Sequence, residues 1–581
     1  MNYQRRCTLR AYGTATLVLL GSTPAFAQTT RLVSASNAGQ ISNLSGTNPG
    51  LSGDGRSVVF LDSSSNLVSG DTNGKADIFL KDTQTGAIVR LSVSSTGAQS
   101  DADSNNPHIT ANGRYVVFDS KATNLIAGDT NLKRDCFLLD RQIGTLQRVS
   151  LGNNGAQGNG DSLLPFVSED GRAVTFCSNA TNLTSAGGNG KFAVYVRDLQ
   201  LQTTVCVSNG TGGGVANGNS FAQGITPDGR FVTFSSIATN LVPNDTNGQE
   251  DAFLYDRTLS SLERVSVATN GAGGDGTSGS DGVFASSDGR YVYFGSTSSN
   301  LDPLSSAEFN LCYLRDRATQ TTRLVSLGAR GETPDSDLYP SSLSPDARLI
   351  AFDGFASNLV PNDTPETPDA FLRDLLTGRN YLLSATTAGT PGGGESALPV
   401  ISANGKFAAF RSSSASLVSG VTDNTPRIYV RGALFSTVSG TLNFGTPTSA
   451  PQDFRFTVRS GSTDLYTLTQ PVSPNGNFSL LVEAGDLTLH LKSSRTLGKN
   501  VSLDTRNGDV ALGAIGVKLG DINEDNAVDF GDLSAMLQVY NALIDNPLYA
   551  TNPLADLNLD GGIDFGDLSA LLQNYNAFGD D

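Results

Sequence analysis

One eight-residue phrase returns seven times and decides most of what this 581-residue chain can fold into. It reads GDGRSVVF from Gly53 to Phe60, then ANGRYVVF from Ala111, EDGRAVTF from Glu169 and PDGRFVTF from Pro227. It continues as SDGRYVYF from Ser287, PDARLIAF from Pro345 and ANGKFAAF from Ala403. The spacing is 58 residues, with one step of 60, which marks a repeat architecture. Each unit holds four strand-like runs, in the first unit NPGLS, RSVVFLDS, DIFLKDT and IVRLSVS. Asp-Gly between the first two runs predicts a tight hairpin, because Gly tolerates φ > 0. Four antiparallel strands repeated seven times describe a seven-bladed β-propeller, and the Phe closing each phrase is expected in the core between blades.

The seventh unit lacks a fourth strand. Near the start of the chain, RLVSAS (Arg31 to Ser36) matches the fourth-strand text RLSVSS (Arg90 to Ser95). The N-terminal strand is therefore expected to complete the last blade and remove the open edge of the array. Composition agrees with a turn-rich β protein: Gly is abundant at 64, Trp is absent and only His108 and His490 supply imidazole.

The first residues read as an export signal. Arg5, Arg6 and Arg10 precede the short apolar run ATLVLLG, and Ala25-Phe26-Ala27 supplies small residues for cleavage before Gln28. That run is too short to span a membrane, so an exported protein, secreted or at the cell surface, is expected. Cys136, Cys177, Cys206 and Cys312 match no zinc spacing and read as isolated strand cysteines. Net charge is −17, but the segment from Gly520 onward carries twelve acidic and no basic residues. The remainder is near neutral, which argues against a nucleic-acid partner.

SNLVSGDTNGKADIFLKDTQTG (Ser65 to Gly86) and TNLVPNDTNGQEDAFLYDR (Thr239 to Arg257) resemble the TolB-like propeller repeats of bacterial exported proteins. The resemblance covers about 31–432 and implies a propeller with a binding role, without naming a ligand. The DTNGxxD loops present alternating oxygens: Asp71, Asn73 and Asp77; Asp129, Asn131 and Asp135; Asp245, Asn247 and Asp251. Three side chains fall short of the six to eight oxygens calcium takes, and Lys75 or Lys133 sits at the fifth position. Hairpin turns held by Asx hydrogen bonds are the expectation, weak calcium sites the alternative.

After Gly432 the repeat stops. TVSGTLNF, DFRFTVRSG, LYTLTQP, GNFSLLVEAGDLTLHLKS and KNVSLDT alternate as a small β-sandwich. The order resembles the module that often precedes a dockerin, and His490 reads as a structural strand residue. The whole is therefore mainly β: signal peptide 1–27, seven-bladed propeller 28–433, β-sandwich 434–518, and an acidic C-terminal domain 519–581.

That last domain contains DINEDNAVDFGDLSA from Asp521 and, 35 residues on, DLNLDGGIDFGDLSA from Asp556. Counting twelve positions, side-chain oxygens fall at 1, 3, 5, 9 and 12: Asp521, Asn523, Asp525, Asp529 and Asp532, then Asp556, Asn558, Asp560, Asp564 and Asp567. Ala527 and Gly562 offer backbone carbonyls at position 7. This is EF-hand ligand spacing and predicts two calcium ions. Gly561 supplies the sharp turn at position 6, where the first loop has Asn526. Val528 and Ile563 at position 8 are expected to pair the two loops. Asp stands at position 12 where an EF-hand usually carries Glu, and no incoming helix precedes either loop. An outgoing helix follows each, with Leu533, Met536, Leu537 and Tyr540 matched by Leu568, Leu571, Leu572 and Tyr575 as its apolar stripe.

Loop plus outgoing helix, duplicated, resembles a type I dockerin. The resemblance implies a calcium-dependent fold and a cohesin-like or cell-surface protein as partner. Cellulosomal members carry Ser or Thr at loop positions 10 and 11; here Phe530-Gly531 and Phe565-Gly566 stand there. Three functions stay open: a non-catalytic exported binding or scaffold protein, an enzyme or accessory subunit of extracellular polysaccharide or peptide breakdown, and a purely structural surface component. With one His in the propeller and no Trp, a Ser-His-Asp triad or sugar-stacking site has little to draw on. Paired carboxylates remain open to the enzyme reading. Converging carboxylates in the propeller channel would favour an enzyme, a plain channel would favour binding.

Overall fold

The computed structural model describes residues 29–580, apart from 186–187, 362, 364–366, 433, 445–453, 470–471 and 507. The expected signal peptide lies outside the described residues. The chain is mainly β, built largely of four-stranded sheets with the organisation of a β-propeller.

In each of the first six repeat units four consecutive strands form one antiparallel meander, for example Gly46–Leu51, Ser57–Asp62, Asp77–Asp82 and Ile88–Arg90. The seventh sheet takes Ser396–Ile401, Ala408–Ser412 and Arg427–Gly432 from the end of the array and Thr29–Leu32 from its start. Thr29–Leu32 runs antiparallel to the third of these, with Arg31 opposite Val430. The first strand of every sheet packs against the first strand of the next, and Ser396–Ile401 packs back against Gly46–Leu51.

The repeated phenylalanine sits in apolar clusters shared by neighbouring sheets: Phe60 with Ala409, Ile428 and Val430, and Phe118 with Val59, Ile78 and Leu80. Phe60, Phe118, Phe176, Phe234, Phe294, Phe352 and Phe410 are fully buried. Each lies opposite an aromatic residue of the third strand: Phe79, Phe137, Tyr195, Phe253, Tyr313, Phe371 and Tyr429. Ring centroids in these pairs are 5.3 to 6.0 Å apart. Such pairs add about 0.5–1.5 kcal/mol each beyond their buried area.

The phrase's turn is a hairpin, as expected, with a loop longer than the tightest two-residue kind. Ser52 N donates to Ser57 O at 2.9 Å, so four residues make the loop. Asp54 is not left-handed; its carboxylate accepts from Ser52 Oγ at 2.6 Å and Arg56 N at 2.9 Å. Only the glycine has positive φ, 75° at Gly55. The Asp is thus the hydrogen-bonding post of the turn and the Gly its left-handed exit.

From Phe435 the chain builds two further sheets around one apolar cluster that includes Val438, Phe456, Phe478, Leu489 and Ile515. One sheet orders Asn477–Glu483, Phe435–Asn443 and Val510–Gly516; the other orders Thr463–Thr469, Arg455–Ser460, Asp486–Lys492 and Lys499–Asp504. Val510–Gly516 was not anticipated; it pairs parallel to Phe435–Asn443, a pairing that leaves no hairpin signal in the sequence. This module is fixed to the sixth repeat sheet by buried Glu483, which accepts from Arg379 Nη1 at 2.8 Å and Tyr381 Oη at 3.1 Å. The tail follows, with helices α1 (Phe530–Val539) and α2 (Phe565–Gln573).

Two turn glycines separate backbone strain from packing. At Gly113 (φ 71°) an added Cβ meets nothing closer than 3.6 Å, whereas at Gly171 (φ 73°) it meets the Tyr115 ring at 2.4 Å. Gly113→Ala should cost about 1 kcal/mol in denaturant unfolding, from the left-handed backbone alone. Gly171→Ala should cost at least about 2 kcal/mol, because the ring must move as well.

Candidate functional sites

The first strands of the seven sheets enclose a cavity of about 400 Å³. Its wall is mostly apolar and includes Pro49, Ile109, Phe166, Val167, Val400 and Ile401, with His108 among the polar lining. The His108 ring meets the edge of Phe166 at 5.3 Å, and burial pushes its pKa down to about 4, so it is neutral at pH 7. Glu169 is the one carboxylate among the described lining residues. Both its oxygens are taken, by Asn112 N at 2.6 Å and Ala111 N at 2.8 Å. No second carboxylate joins Glu169 in this cavity among the described lining residues.

Four of the channel strands carry a left-handed residue directly before a proline: Asn48, Asn106, Leu164 and Leu398, with φ between 49° and 55°. Ladder register shifts at each of these places. The dipeptide before each distortion, Asn-Pro in two strands and Leu-Pro in two, is its sequence mark, hidden within strand-like runs such as NPGLS. Buried carboxylates gather the displaced groups. Asp119 Oδ1 accepts from Asn106 Nδ2 at 2.7 Å, and its Oδ2 meets Arg134 Nη1 at 2.5 Å. Asp353 Oδ1 accepts from Ser341 Oγ at 2.8 Å and Leu398 N at 3.0 Å. Burial, against these hydrogen bonds, lifts Asp353 to about 6.

The DTNGxxD loops are closed by arginine. Arg90 Nη1 lies 3.0 Å from Asp71 and 3.1 Å from Asp77. Arg148 bridges Asp129 at 2.9 Å and Asp135 at 3.3 Å, and Arg264 bridges Asp245 and Asp251, each at 3.3 Å. Asn73, Asn131 and Asn247 donate to the strand aspartate at 2.9, 3.0 and 3.2 Å. The guanidinium supplies the positive charge that a calcium ion would have brought to these acids. It arrives from the fourth strand, outside the loop text, so loop spacing alone did not reveal it. In the third unit both partners change: Ala193 stands at the strand Asp position and Cys206 at the Arg position. The sixth unit keeps Asp363 and Asp369 but has Leu382 opposite Phe371; burial, with Asp363 alongside, lifts Asp369 to about 7. The four cysteines 136, 177, 206 and 312 are free thiols.

In the tail, the twelve-residue loops fold alike. Position 12 closes each loop on its own backbone: Asp532 accepts from Ile522 N at 2.7 Å, Asn523 N at 3.1 Å and Asp529 N at 2.9 Å. Asp567 repeats this with Leu557 N, Asn558 N and Asp564 N at 2.7, 3.1 and 2.8 Å. Asp529 and Asp564 cap α1 and α2 through Gly531 N and Gly566 N, both at 2.7 Å. Asp525 accepts from Asn523 Nδ2 at 2.9 Å and Ala527 N at 3.0 Å; Asp560 does the same from Asn558 Nδ2 at 2.9 Å and Gly562 N at 3.0 Å. Position 6 is left-handed in both, φ 67° at Asn526 and 90° at Gly561.

Asp521, Asp532, Asp556 and Asp567 are buried, and Asp521 Oδ1 and Asp556 Oδ1 have no hydrogen-bond partner. A buried carboxylate oxygen with no donor at position 1 of each loop fits a hard cation, while the other oxygen is met by Lys492 Nζ on Asp521 and by Tyr549 Oη on Asp556, each at 2.7 Å. The carboxylates are spread over backbone amides, and among the described residues no three acidic, His or Cys side chains stand gathered as a metal cluster.

Two expectations for the tail are corrected. Val528 and Ile563 do not pair the loops with each other. Ala527–Val528 pairs with Ala577–Phe578 after α2, and Gly562 bridges Leu543 after α1. Asn576 N donates to Val528 O and Asn541 N to Ile563 O, both at 2.7 Å. The duplicated Tyr-Asn-Ala at 540–542 and 575–577 carried this signal. The helical stripe is also split. Met536 and Leu571 are buried, while Leu537 and Leu572 face outward at 55% and 50% exposure. Phe530 and Phe565 are 71% and 73% exposed.

No family model matches this chain, and no curated protein does. Among solved structures it is similar to TolB from Acinetobacter baumannii at 17% identity and TM-score 0.30, over 52% of this chain and 58% of that one. The chain thus spans little more than half of that protein's length. A type II cohesin–X–dockerin complex from Acetivibrio cellulolyticus matches over 25% of this chain and 97% of its own, at 23% identity and TM-score 0.21. The β-propeller domain of the trilobed protease from Pyrococcus furiosus matches over 68% and 94%, at 9% identity and TM-score 0.40. At these scores the likenesses add nothing to the geometry above.

Two measurements follow from the buried acids. Asp353 has a folded pKa near 6 against 3.8 unfolded. The folded state therefore binds the extra proton between these values, and stability falls as pH rises through that window. Asp353→Asn should remove up to about 1.4 kcal/mol per pH unit from that slope in urea unfolding between pH 4 and 6. Arg148→Leu leaves Asp129 and Asp135 without their cation and should cost about 3–5 kcal/mol at pH 7.

Proposed function

We propose that this is an exported, non-catalytic binding or scaffold protein: a seven-bladed propeller that binds a ligand or protein, followed by a β-sandwich mount and a dockerin-like, calcium-dependent docking tail. The observation that carries the tail reading is the matched pair of unpartnered, buried oxygens, Asp521 Oδ1 and Asp556 Oδ1. Asp521, Asn523, Asp525, Asp529 and Asp532 would hold one calcium ion, and Asp556, Asn558, Asp560, Asp564 and Asp567 the other, with carbonyls of Ala527 and Gly562 contributing. The ions would supply the charge that lets these acids stay ionised inside the tail.

The exposed Phe530 and Phe565, each opening a helix in equivalent surroundings, offer one docking face in two orientations. A cohesin-like or cell-surface protein is the partner this face suits. For the propeller, the mostly apolar cavity and the pinned Glu169 support binding over hydrolysis. Export rests on the leader sequence at 1–27.

The test is a pull-down from the host surface fraction with calcium and then with chelator. Partner retention should be lost with chelator; retention unaffected by it overturns the docking role. Asp525→Ala combined with Asp560→Ala should leave the tail's helices unformed in millimolar calcium by circular dichroism of the isolated segment beside the full chain. Persisting calcium-responsive helicity would sink the metal reading.

A further inference from the structure

The two calcium loops are near-copies in sequence, yet their surroundings differ. The outer oxygen of the position-1 carboxylate accepts the position-6 amide in both: Asn526 N to Asp521 Oδ2 and Gly561 N to Asp556 Oδ2, each at 3.1 Å. The second donor to that oxygen differs. Asp556 receives Tyr549 Oη at 2.7 Å, from within the tail. Asp521 receives Lys492 Nζ at 2.7 Å, from the last residue of strand Asp486–Lys492 in the middle module.

Position 6 diverges in the same direction. Gly561 adopts its left-handed turn at no steric cost and lends the turn no side chain. Asn526 accepts that cost and uses its side chain outside the loop. Its Oδ1 accepts from Gly498 N at 2.7 Å and from Lys492 Nζ at 3.3 Å. Around it, Gly520 N donates to Arg495 O at 3.0 Å, Asp580 N to Gly498 O at 2.8 Å, and Asn500 N to Asp580 Oδ2 at 2.9 Å. Leu497 of the middle module is buried in the tail's own apolar cluster, beside Ile522 and Val528. The module reaches the first loop's own position-1 and position-6 side chains, whereas at the second copy Arg495 Nη2 meets Pro553 O at 3.1 Å, upstream of the loop.

We propose that Lys492 and Asn526 are positioning residues that make calcium binding at the first loop and seating of the tail on the middle module one coupled equilibrium. This rests on the calcium reading above. Groups that orient a ligand carboxylate through its outer oxygen raise metal affinity by tenfold or more in known sites. Coupling is reciprocal: whatever the module contributes to the loop's affinity, the loaded loop returns to the contact. The second loop lies outside this linkage.

The test is peptide-resolved hydrogen exchange of the full mature chain against free calcium concentration. It follows residues 521–532, 556–567 and 498–500 separately. In the wild type, protection at 498–500 should rise with the same calcium midpoint as 521–532. In Lys492→Met with Asn526→Gly, the midpoint of 521–532 should rise about tenfold, while that of 556–567 stays within twofold. Lys492→Arg alone should keep the wild-type midpoint, since the charge-assisted donor is retained. An unchanged first-loop midpoint in the double variant overturns the coupling, as does a 498–500 segment indifferent to calcium. Protection of neither loop at any calcium concentration overturns the calcium reading and the coupling with it. An equal shift of both loops assigns the residues to general stability of the tail and overturns the positioning role.

Discussion

A carboxylate taken out of water must find positive charge or a set of hydrogen-bond donors, and this chain meets that demand in each of its parts. Arginine from the fourth strand answers it in three repeat units. Displaced amides and hydroxyls answer it at the channel, where Asp353 holds Leu398 N and Ser341 Oγ. Arg379 and Tyr381 answer it for Glu483 where the middle module meets the repeats. In the tail the backbone provides most of the donors and leaves one buried position-1 oxygen per loop without a hydrogen-bond partner. The acids that look alike in the sequence are therefore distinct in role, and the partner decides which role each has.

Much of the repeat array was legible because it is written seven times. One copy of GDGRSVVF is weak evidence; seven at a fixed spacing determine strand order, and the orphan RLVSAS pointed to the seam. Features carried by a single copy, or by residues distant in the chain, were not legible. Arg90 is read as an ordinary strand residue until the fold lays it against Asp71 and Asp77. The parallel strand Val510–Gly516 has no local turn to announce it. In the tail, spacing gave the loop residues directly. It did not give the pairing of each loop with the segment after the opposite helix, because Tyr-Asn-Ala is too short a phrase to weigh without its duplicate.

The tail also shows how duplication and specialisation coexist. Two copies keep the closing aspartate and the capping pair, which the loop needs in order to form at all. They differ at position 6 and in the donor to position 1, where the first copy meets the module. The faces bearing Phe530 and Phe565 stay equivalent in exposure, so the divergence sits on the inner side and leaves the outer side duplicated.

The seam between Thr29–Leu32 and Arg427–Gly432 joins positions 401 apart at Thr30 and Arg431. Every other strand in the array pairs within its own unit, so nearly all local structure is available before the longest-range contact forms. Closing a loop of this size is entropically slow, and until it closes the third strand of the last sheet presents an unpaired edge. The waiting time between synthesis of the first strand and arrival of its partner is thus a window in which the chain is open to strand exchange with a second copy.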